Sequence, residues 1–207
     1  MRSTTSKEKT RSGIVSVAIR DGALVVYPTE TFYALGASML RPLALSRVYS
    51  VKGRDPSKPL PFIASSIPQA LEMLEDKSET LLRLAVRFWP GPLTIVGKAS
   101  GGVPAFACAL DGSIAIRVSA HPAARALARF SGFPMTATSA NFSGEPPARL
   151  LADIPRKLLG LVDCALDAGL LPGGLPSTIV RIEECRVRVL REGAVPSSLL
   201  ARFAPLF

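Results

Sequence analysis

Hydrophobic residues recur along this chain with two different periods, and the two periods alternate from one segment to the next. Residues 113–118 (SIAIRV) place an apolar side chain at every second position, which is the period of a half-buried β-strand. Residues 23–27 (ALVVY) are continuously apolar and end at Pro28, a pattern typical of a buried strand. Residues 42–51, which begin with proline, and residues 78–88, which begin with serine and an acidic residue, are predicted to be helices.

The same two periods continue to the end of the chain. Further strands are predicted at residues 60–64, 93–96, 135–138, 161–166, 178–182 and 186–190. Further helices are predicted at residues 14–20, 68–74, 122–130, 154–159 and 196–203. Strands and helices interleave without an internal repeat or a linker, which predicts one α/β domain over residues 13–207 with an open, mixed sheet.

Composition excludes several classes of protein. The 207 residues are 48% hydrophobic and 20% charged, a globular balance that can build a core of its own. Cys108, Cys164 and Cys185 are unevenly spaced, which argues against a disulfide framework or a structural zinc site. The single histidine, His121, is expected to be a structural or helix-capping residue, and the presence of only one histidine argues against a His-rich metal site, so no protein metal site is predicted. No apolar run is long enough to span a membrane and no secretory signal is present, so we expect a cytoplasmic protein.

The net charge of +9, with a pI near 10.0, raises the possibility of an RNA-binding module. Nearly half of that surplus lies in residues 1–20, and residues 1–12 are predicted to form a flexible basic arm. Aromatic residues, on which single-stranded bases stack, make up only 6% of the chain. The positions of the lysines and arginines outside the arm therefore decide whether the positive charge serves RNA binding or another anionic ligand.

Two motifs, each directly after a predicted strand or helix, contain hydroxyl and charged side chains that could bind a ligand. Residues 28–36 (PTETFYALG) begin at the carboxyl end of a buried strand, the edge at which open α/β sheets bind ligands. The alternative is a turn into a helix, with Thr29 or Thr31 as the cap. Residues 52–60 (KGRDPSKPL) hold three cations between glycine and prolines, which suits a polyphosphate, although a solvated basic loop has the same composition.

Arg117 lies within the predicted strand 113–118, on the face opposite the apolar residues. Leaving such a cation unpaired is costly, so it needs either a ligand carboxylate or phosphate or a structural salt bridge, and both remain open. Residues 136–144 (TATSANFSG) end a strand with hydroxyls and an amide that could surround an anion. Ser177 begins another strand and Arg191 ends one.

In this order, seven motifs resemble the YrdC/Sua5 family of threonylcarbamoyl-AMP synthases, in its short, single-domain form. The matching motifs are PTETFYALG, KGRDPSKPL, FWPGPLT, SIAIRV with the following HP, TSANFSGEPP, PSTIV and LREGAV. The resemblance implies a twisted α/β sheet with a central cationic cavity. It also implies a reaction in which L-threonine, bicarbonate and ATP give threonylcarbamoyl-AMP and pyrophosphate, as a step towards threonylcarbamoyl-adenosine in tRNA. A carbamoyl-transfer paralogue of the same fold is the alternative.

By the same resemblance, residue roles follow the matched motifs. Lys52 and Arg54 would be catalytic, and L-threonine would be held by Thr31, Arg117 and Ser177. ATP would be bound by Arg54, Lys58, Ser113, Ser139, Asn141 and Arg191. Mg²⁺ would be held mainly by the ATP phosphates, the product would pass to a tRNA threonylcarbamoyl transferase, and direct contact with tRNA is a weaker expectation. Two departures, Ala34 and Ala137, replace a glycine and a hydroxylated residue common in the family.

Overall fold

A computed structural model describes residue 15 and residues 17–206, so the predicted arm at residues 1–12 lies outside the described residues. The strands are β1 Val25–Pro28, β2 Tyr33–Gly36, β3 Pro61–Ala64, β4 Leu93–Lys98, β5 Ser113–Val118, β6 Met135–Thr136, β7 Thr138–Ser139, β8 Cys164–Ala165, β9 Thr178–Glu183 and β10 Arg186–Arg191. After residue 22 the helices are α1 Pro42–Lys52, α2 Ile67–Glu72, α3 Glu79–Phe88, α4 Pro122–Ser131, α5 Arg156–Leu159 and α6 Ser197–Leu200, with short 3-10 turns at Ala105–Ala107 and Leu151–Asp153.

The strands divide between two sheets, where the sequence predicts one. The larger has the order β10-β9-β4-β5-β3-β6, and the smaller has the order β7-β2-β1-β8. Both sheets are open and mixed, which confirms the predicted α/β class. The predicted strand 135–138 is interrupted at Ala137, whose N–H donates to the Pro61 carbonyl. The chain thereby leaves the larger sheet after β6 and enters the smaller sheet as β7.

Strand β2 is the element that the sequence prediction missed. Residues 29–32 form a tight turn, in which the Thr29 hydroxyl donates to the Phe32 carbonyl at 2.7 Å, and the chain then pairs back along β1. All four residues of β2 are buried. Gly36 is needed there because a Cβ atom would lie 2.5 Å from the ring of Tyr27.

Helix ends follow the predicted capping chemistry. The Ser78 side chain accepts a hydrogen bond from the Leu81 N–H at the start of α3. His121 caps α4 with its Nδ1 atom, as predicted. Helix α1 begins at Pro42 and ends at Lys52, and it is capped by Gly53, which is in the left-handed conformation that favours glycine.

Apolar residues from the two sheets and the helices form two buried clusters. The larger joins α1 and α3 to the middle strands of the larger sheet. The smaller, which includes Ile19, Tyr27, Ile63 and Leu127, fills the space where β1, β3 and α4 meet. Among the described residues, no helix is both long and apolar enough to cross a bilayer.

Candidate functional site

A cavity of about 590 Å³ is lined by strands of both sheets and by the loop between α1 and β3. Seven of the ten predicted site residues contribute to its wall: Thr31, Arg54, Ser113, Arg117, Ser139, Ser177 and Arg191. These residues are widely separated in the sequence, and the fold brings them together. The other three, Lys52, Lys58 and Asn141, do not line the cavity.

Lys52 lies behind the cavity wall rather than in it. It is 3% exposed, and its Nζ atom donates to the Ser139 carbonyl and to the Asn141 carbonyl and side-chain oxygen, the last two at 2.7 and 3.2 Å. Burial, followed by repulsion from Arg54, lowers the pKa of Lys52 to about 8. The cation therefore fixes the backbone after β7, so that Ser139 is held at the cavity surface.

Arg54 is held by its own loop. Its Nε atom donates to the Lys58 carbonyl at 3.1 Å and one terminal nitrogen donates to the Pro59 carbonyl at 2.9 Å. The Lys58 side chain is exposed, so this residue supports the site through the carbonyl that holds Arg54, and its charge lies outside the cavity wall. Burial lowers the pKa of Arg54, and the described residues include no ion-pair partner for it.

Arg191 reaches the cavity because of a bulge in β10. Val189 pairs with Val180 and Arg191 pairs with Ile179, so Leu190 is an extra residue in the ladder. Since Ile179 lines the cavity, the extra residue brings Arg191 onto the same face.

Arg191 and a neighbouring hydroxyl hold Ser177 in the cavity wall. Arg191 donates to the Ser177 carbonyl at 2.7 Å, and the Thr94 hydroxyl lies 3.0 Å from the Ser177 hydroxyl.

Arg117 is paired, which resolves one of the alternatives left by the sequence. Its Nε atom donates to Oε1 of Glu30 at 3.2 Å, and the side chains of Arg117 and Glu30 are 5% and 12% exposed. The Ser119 hydroxyl donates to the other Glu30 oxygen. Burial would raise the pKa of Glu30, but Arg117 and Ser119 together hold it below its ordinary value. Sequence reasoning missed Glu30, although it is the only acidic residue in PTETFYALG and Arg117 was known to need a counter-charge.

A second ion pair lies at the cavity wall, and it too was missed. Arg181 donates to Asp111 at 2.9 Å, and the Ser113 hydroxyl donates to the other Asp111 oxygen at 2.6 Å. The Ser113 hydroxyl and N–H, followed by Arg181, lower the pKa of Asp111 to about 2. The two-residue spacing of Asp111 and Ser113, typical of an Asx turn, was the available signal.

The charges of the cavity therefore fall into two groups. Arg117 and Arg181 have carboxylate partners, whereas Arg54 and Arg191 have none among the described residues. Burial and repulsion from Arg117 and Arg54 lower the pKa of Arg191, so these guanidinium groups lie close enough to repel one another. Two converging cations that make no ion pair within the described part of the chain form a site that an anion with several negative charges would stabilise.

A close backbone contact holds the Arg191 end of the cavity in place. A Cβ atom on Gly193 would lie 2.2 Å from the Pro176 carbonyl oxygen and 2.6 Å from the Thr178 nitrogen. We expect Gly193→Ala to push apart the segments that carry Ser177 and Arg191 and to lower the free energy of unfolding by about 1–3 kcal/mol. Urea denaturation measures this loss. Gly101→Ala, where a Cβ atom meets nothing within 4 Å, is the matched control, and equal losses in both variants would contradict the expectation.

The family model described as "Telomere recombination", which covers Sua5, YciO and YrdC proteins, matches residues 17–193. A Pyrococcus abyssi protein named threonylcarbamoyl-AMP synthase is 35% identical over 189 residues, which is 91% of this chain and 56% of the relative. A relative from Methanocaldococcus jannaschii is 33% identical over 184 residues, which is 89% of this chain and 86% of the relative. The chain therefore spans just over half the length of the first relative and most of the second.

Solved structures give the same comparison in three dimensions. The crystal structure of P. abyssi Sua5 complexed with L-threonine superposes with a TM-score of 0.88 at 33% sequence identity. The match covers 96% of this chain and 59% of that chain.

Proposed function

The chain belongs to the Sua5/YciO/YrdC family, as its motifs predict, and on that premise we propose that it synthesises threonylcarbamoyl-AMP. The substrates are L-threonine, bicarbonate and ATP, and the products are threonylcarbamoyl-AMP, pyrophosphate and water. The observation that carries this proposal is the convergence of Arg54, Arg117 and Arg191 from distant motifs on one cavity. A relative at 35% identity bears the name of this activity.

The chemistry needs alignment and charge neutralisation more than a dedicated base. The threonine amine and bicarbonate form a carbamate with loss of water. A carbamate oxygen then attacks the α-phosphorus of ATP, and the bond to the pyrophosphate leaving group breaks. In this proposal Arg54 and Arg191 neutralise the phosphates, because they are the cavity arginines that make no ion pair with the residues that the structure describes.

The remaining cavity residues divide between the two substrates in this proposal. Thr31, Ser177 and the terminal nitrogens of Arg117 hold threonine, whereas Ser113 and Ser139 contact the nucleotide. Lys52 and Asn141 act as positioning residues, since both belong to the hydrogen-bonded loop that presents Ser139. A contact between the exposed Lys58 side chain and the ATP phosphates stays a prediction.

Mg²⁺ fits this proposal as an ion carried by the ATP phosphates. Mg²⁺ is commonly bound by phosphate oxygens, waters and only one or two carboxylates. Asp111 is the carboxylate in the cavity wall, and it is engaged by Ser113 and Arg181. Within the described residues, no group of three or more His, Cys, Asp or Glu side chains could hold a metal ion. When bound, Mg²⁺ would neutralise phosphate charge.

The proposal also covers the fate of the product and the place of the reaction in the cell. Threonylcarbamoyl-AMP is a mixed anhydride that a tRNA threonylcarbamoyl transferase would consume, and the reaction would take place in the cytoplasm. Direct binding of tRNA through the basic arm stays a prediction. Removal of residues 1–12 tests it, because an RNA-binding module would lose affinity and salt dependence while synthase turnover would persist.

The decisive experiment follows the fate of ATP labelled at the α-phosphorus. We expect a labelled adenylate and free pyrophosphate to form only when L-threonine and bicarbonate are both present. Product that forms without threonine, or with another amino acid equally well, would reject the proposal and favour a carbamoyl-transfer paralogue. Omission of bicarbonate from degassed buffer is the internal control.

Arg54→Ala is expected to raise the KM for ATP by about tenfold or more, because a charge-assisted phosphate contact contributes roughly 1.5–3 kcal/mol. The KM for threonine should change by less than about twofold, since Arg54 faces the phosphate end in this proposal. Steady-state kinetics with each substrate varied in turn measure both constants. Arg83→Ala removes an exposed arginine of an i,i+4 pair and serves as the control. An equal rise in both KM values for Arg54→Ala would contradict the division of the cavity.

A further inference from the structure

Glu30 holds Arg117 without itself reaching the cavity. It lies at the tip of the β1–β2 turn, between Thr29 and Thr31, which both line the cavity. Its carboxylate is fixed at both oxygens: Oε1 accepts from Arg117, and Oε2 accepts from the buried Ser119 hydroxyl. Ser119 is itself held, because its hydroxyl oxygen accepts from the His121 N–H at 3.1 Å. The negative charge of Glu30 is therefore locked in one place.

The contact uses only the Nε side of the guanidinium group. Glu30 engages Nε of Arg117 at 3.2 Å, and the described residues make no hydrogen bond to its terminal nitrogens. Arg117 lines the cavity, so these terminal nitrogens remain as a planar pair of donors for a ligand. Glu30 thus orients the Arg117 side chain, and its carboxylate also offsets most of the positive charge of the Arg117 guanidinium.

Such neutralisation distinguishes between anions of different charge. The cavity receives two anionic substrates, and its other phosphate-facing cations, Arg54 and Arg191, have no carboxylate partner among the described residues. A carboxylate with one negative charge tolerates a fixed Glu30 nearby when Arg117 donates two hydrogen bonds to it. A polyphosphate brings several negative charges against the same carboxylate, and juxtaposed like charges suppress the wrong ligand.

We propose that Glu30 is the specificity-determining residue that reserves Arg117 for the carboxylate of the amino acid and excludes phosphate groups from it. This inference rests on the proposed function, because it assigns the threonine end of the same cavity. It predicts that the two anions occupy the cavity side by side and do not compete. Without the charge of Glu30, the three arginines would form one continuous site for phosphate.

The test measures the Kd of L-threonine by calorimetry, without ATP, in the absence and presence of saturating pyrophosphate. In the wild-type protein, pyrophosphate should change the threonine Kd by less than about twofold. In Glu30→Gln, which keeps an acceptor for Arg117 but loses the charge, pyrophosphate should raise the apparent Kd by about tenfold or more. Glu30→Asp, which keeps the charge, should behave as the wild type. Glu79→Gln removes the charge of an exposed ion pair and is the matched control.

Three outcomes separate this inference from the function on which it rests. Failure of the wild-type protein to bind threonine or to form the adenylate would reject the proposed function. Normal synthase activity with strong competition by pyrophosphate in the wild type would reject the inference alone, whether or not any variant folds. Absence of competition in a folded Glu30→Gln protein, checked by circular dichroism, would also reject the inference.

Discussion

Arg117→Ala is expected to lower kcat/KM for threonine by about 100-fold, and to lower the free energy of unfolding by about 3 kcal/mol. The kinetic effect follows from the proposed function, in which Arg117 donates two charge-assisted hydrogen bonds to the threonine carboxylate. The stability effect follows because the carboxylate of Glu30, which is 12% exposed, loses its cationic partner while it keeps its negative charge. Steady-state kinetics and urea denaturation measure the two effects on the same preparations.

A double variant separates binding from stability. Glu30→Ala combined with Arg117→Ala removes both charges, so most of the lost stability should return, because no uncompensated carboxylate remains. The threonine effect should not return, because the donors are still missing. Stability that stays low in the double variant would mean that Arg117 supports the fold by packing. A KM for ATP that rises as much as the KM for threonine would mean that Arg117 does not face the amino acid.

The fold could be predicted wherever a single period dominated the sequence. Strand β5 has its predicted bounds, Ser113–Val118, because alternation over six residues leaves no other structure. Strand β2 was missed because its four residues, YALG, are too few and too uniformly apolar to show a period, and because the preceding Thr29 also suits a helix cap. The passage between sheets at Ala137 was missed because it depends on a hydrogen bond to Pro61, 76 positions earlier in the sequence.

The site could be predicted in its residue types but not in its pairings. The polar motifs, together with the family resemblance, named ten candidate residues, of which seven line one cavity. Which cation faces which anion depends on side chains that are far apart in sequence. Glu30 pairs with Arg117 across 87 positions, and Lys52 turns away from the cavity to carbonyls 87 and 89 positions away. A sequence shows a charge but not the direction of its side chain.

Lys52→Met should have the second large effect, even though Lys52 does not line the cavity. The substitution keeps the length of an apolar stem but leaves the Ser139 carbonyl and both Asn141 oxygens without their shared cation. Because hydrogen bonds to a buried charge contribute about 1.5–3 kcal/mol each, we expect the free energy of unfolding to fall by about 3 kcal/mol. The loop that presents Ser139 would then move, and kcat/KM for ATP should fall by about tenfold or more.

Lys58→Met, in the same basic motif, gives the contrast that tests this explanation. The Lys58 side chain is exposed, so its loss should change the free energy of unfolding by less than about 0.5 kcal/mol. Urea denaturation of the two variants should therefore differ clearly, while an effect of Lys58→Met on the KM for ATP would support its predicted contact with phosphate. If Lys52→Met kept the full free energy of unfolding but lost activity, the result would instead indicate that the Lys52 ammonium group contacts the substrate directly. On this explanation Lys52 supports the cavity wall through its hydrogen bonds, whereas Lys58 would act only through its charge.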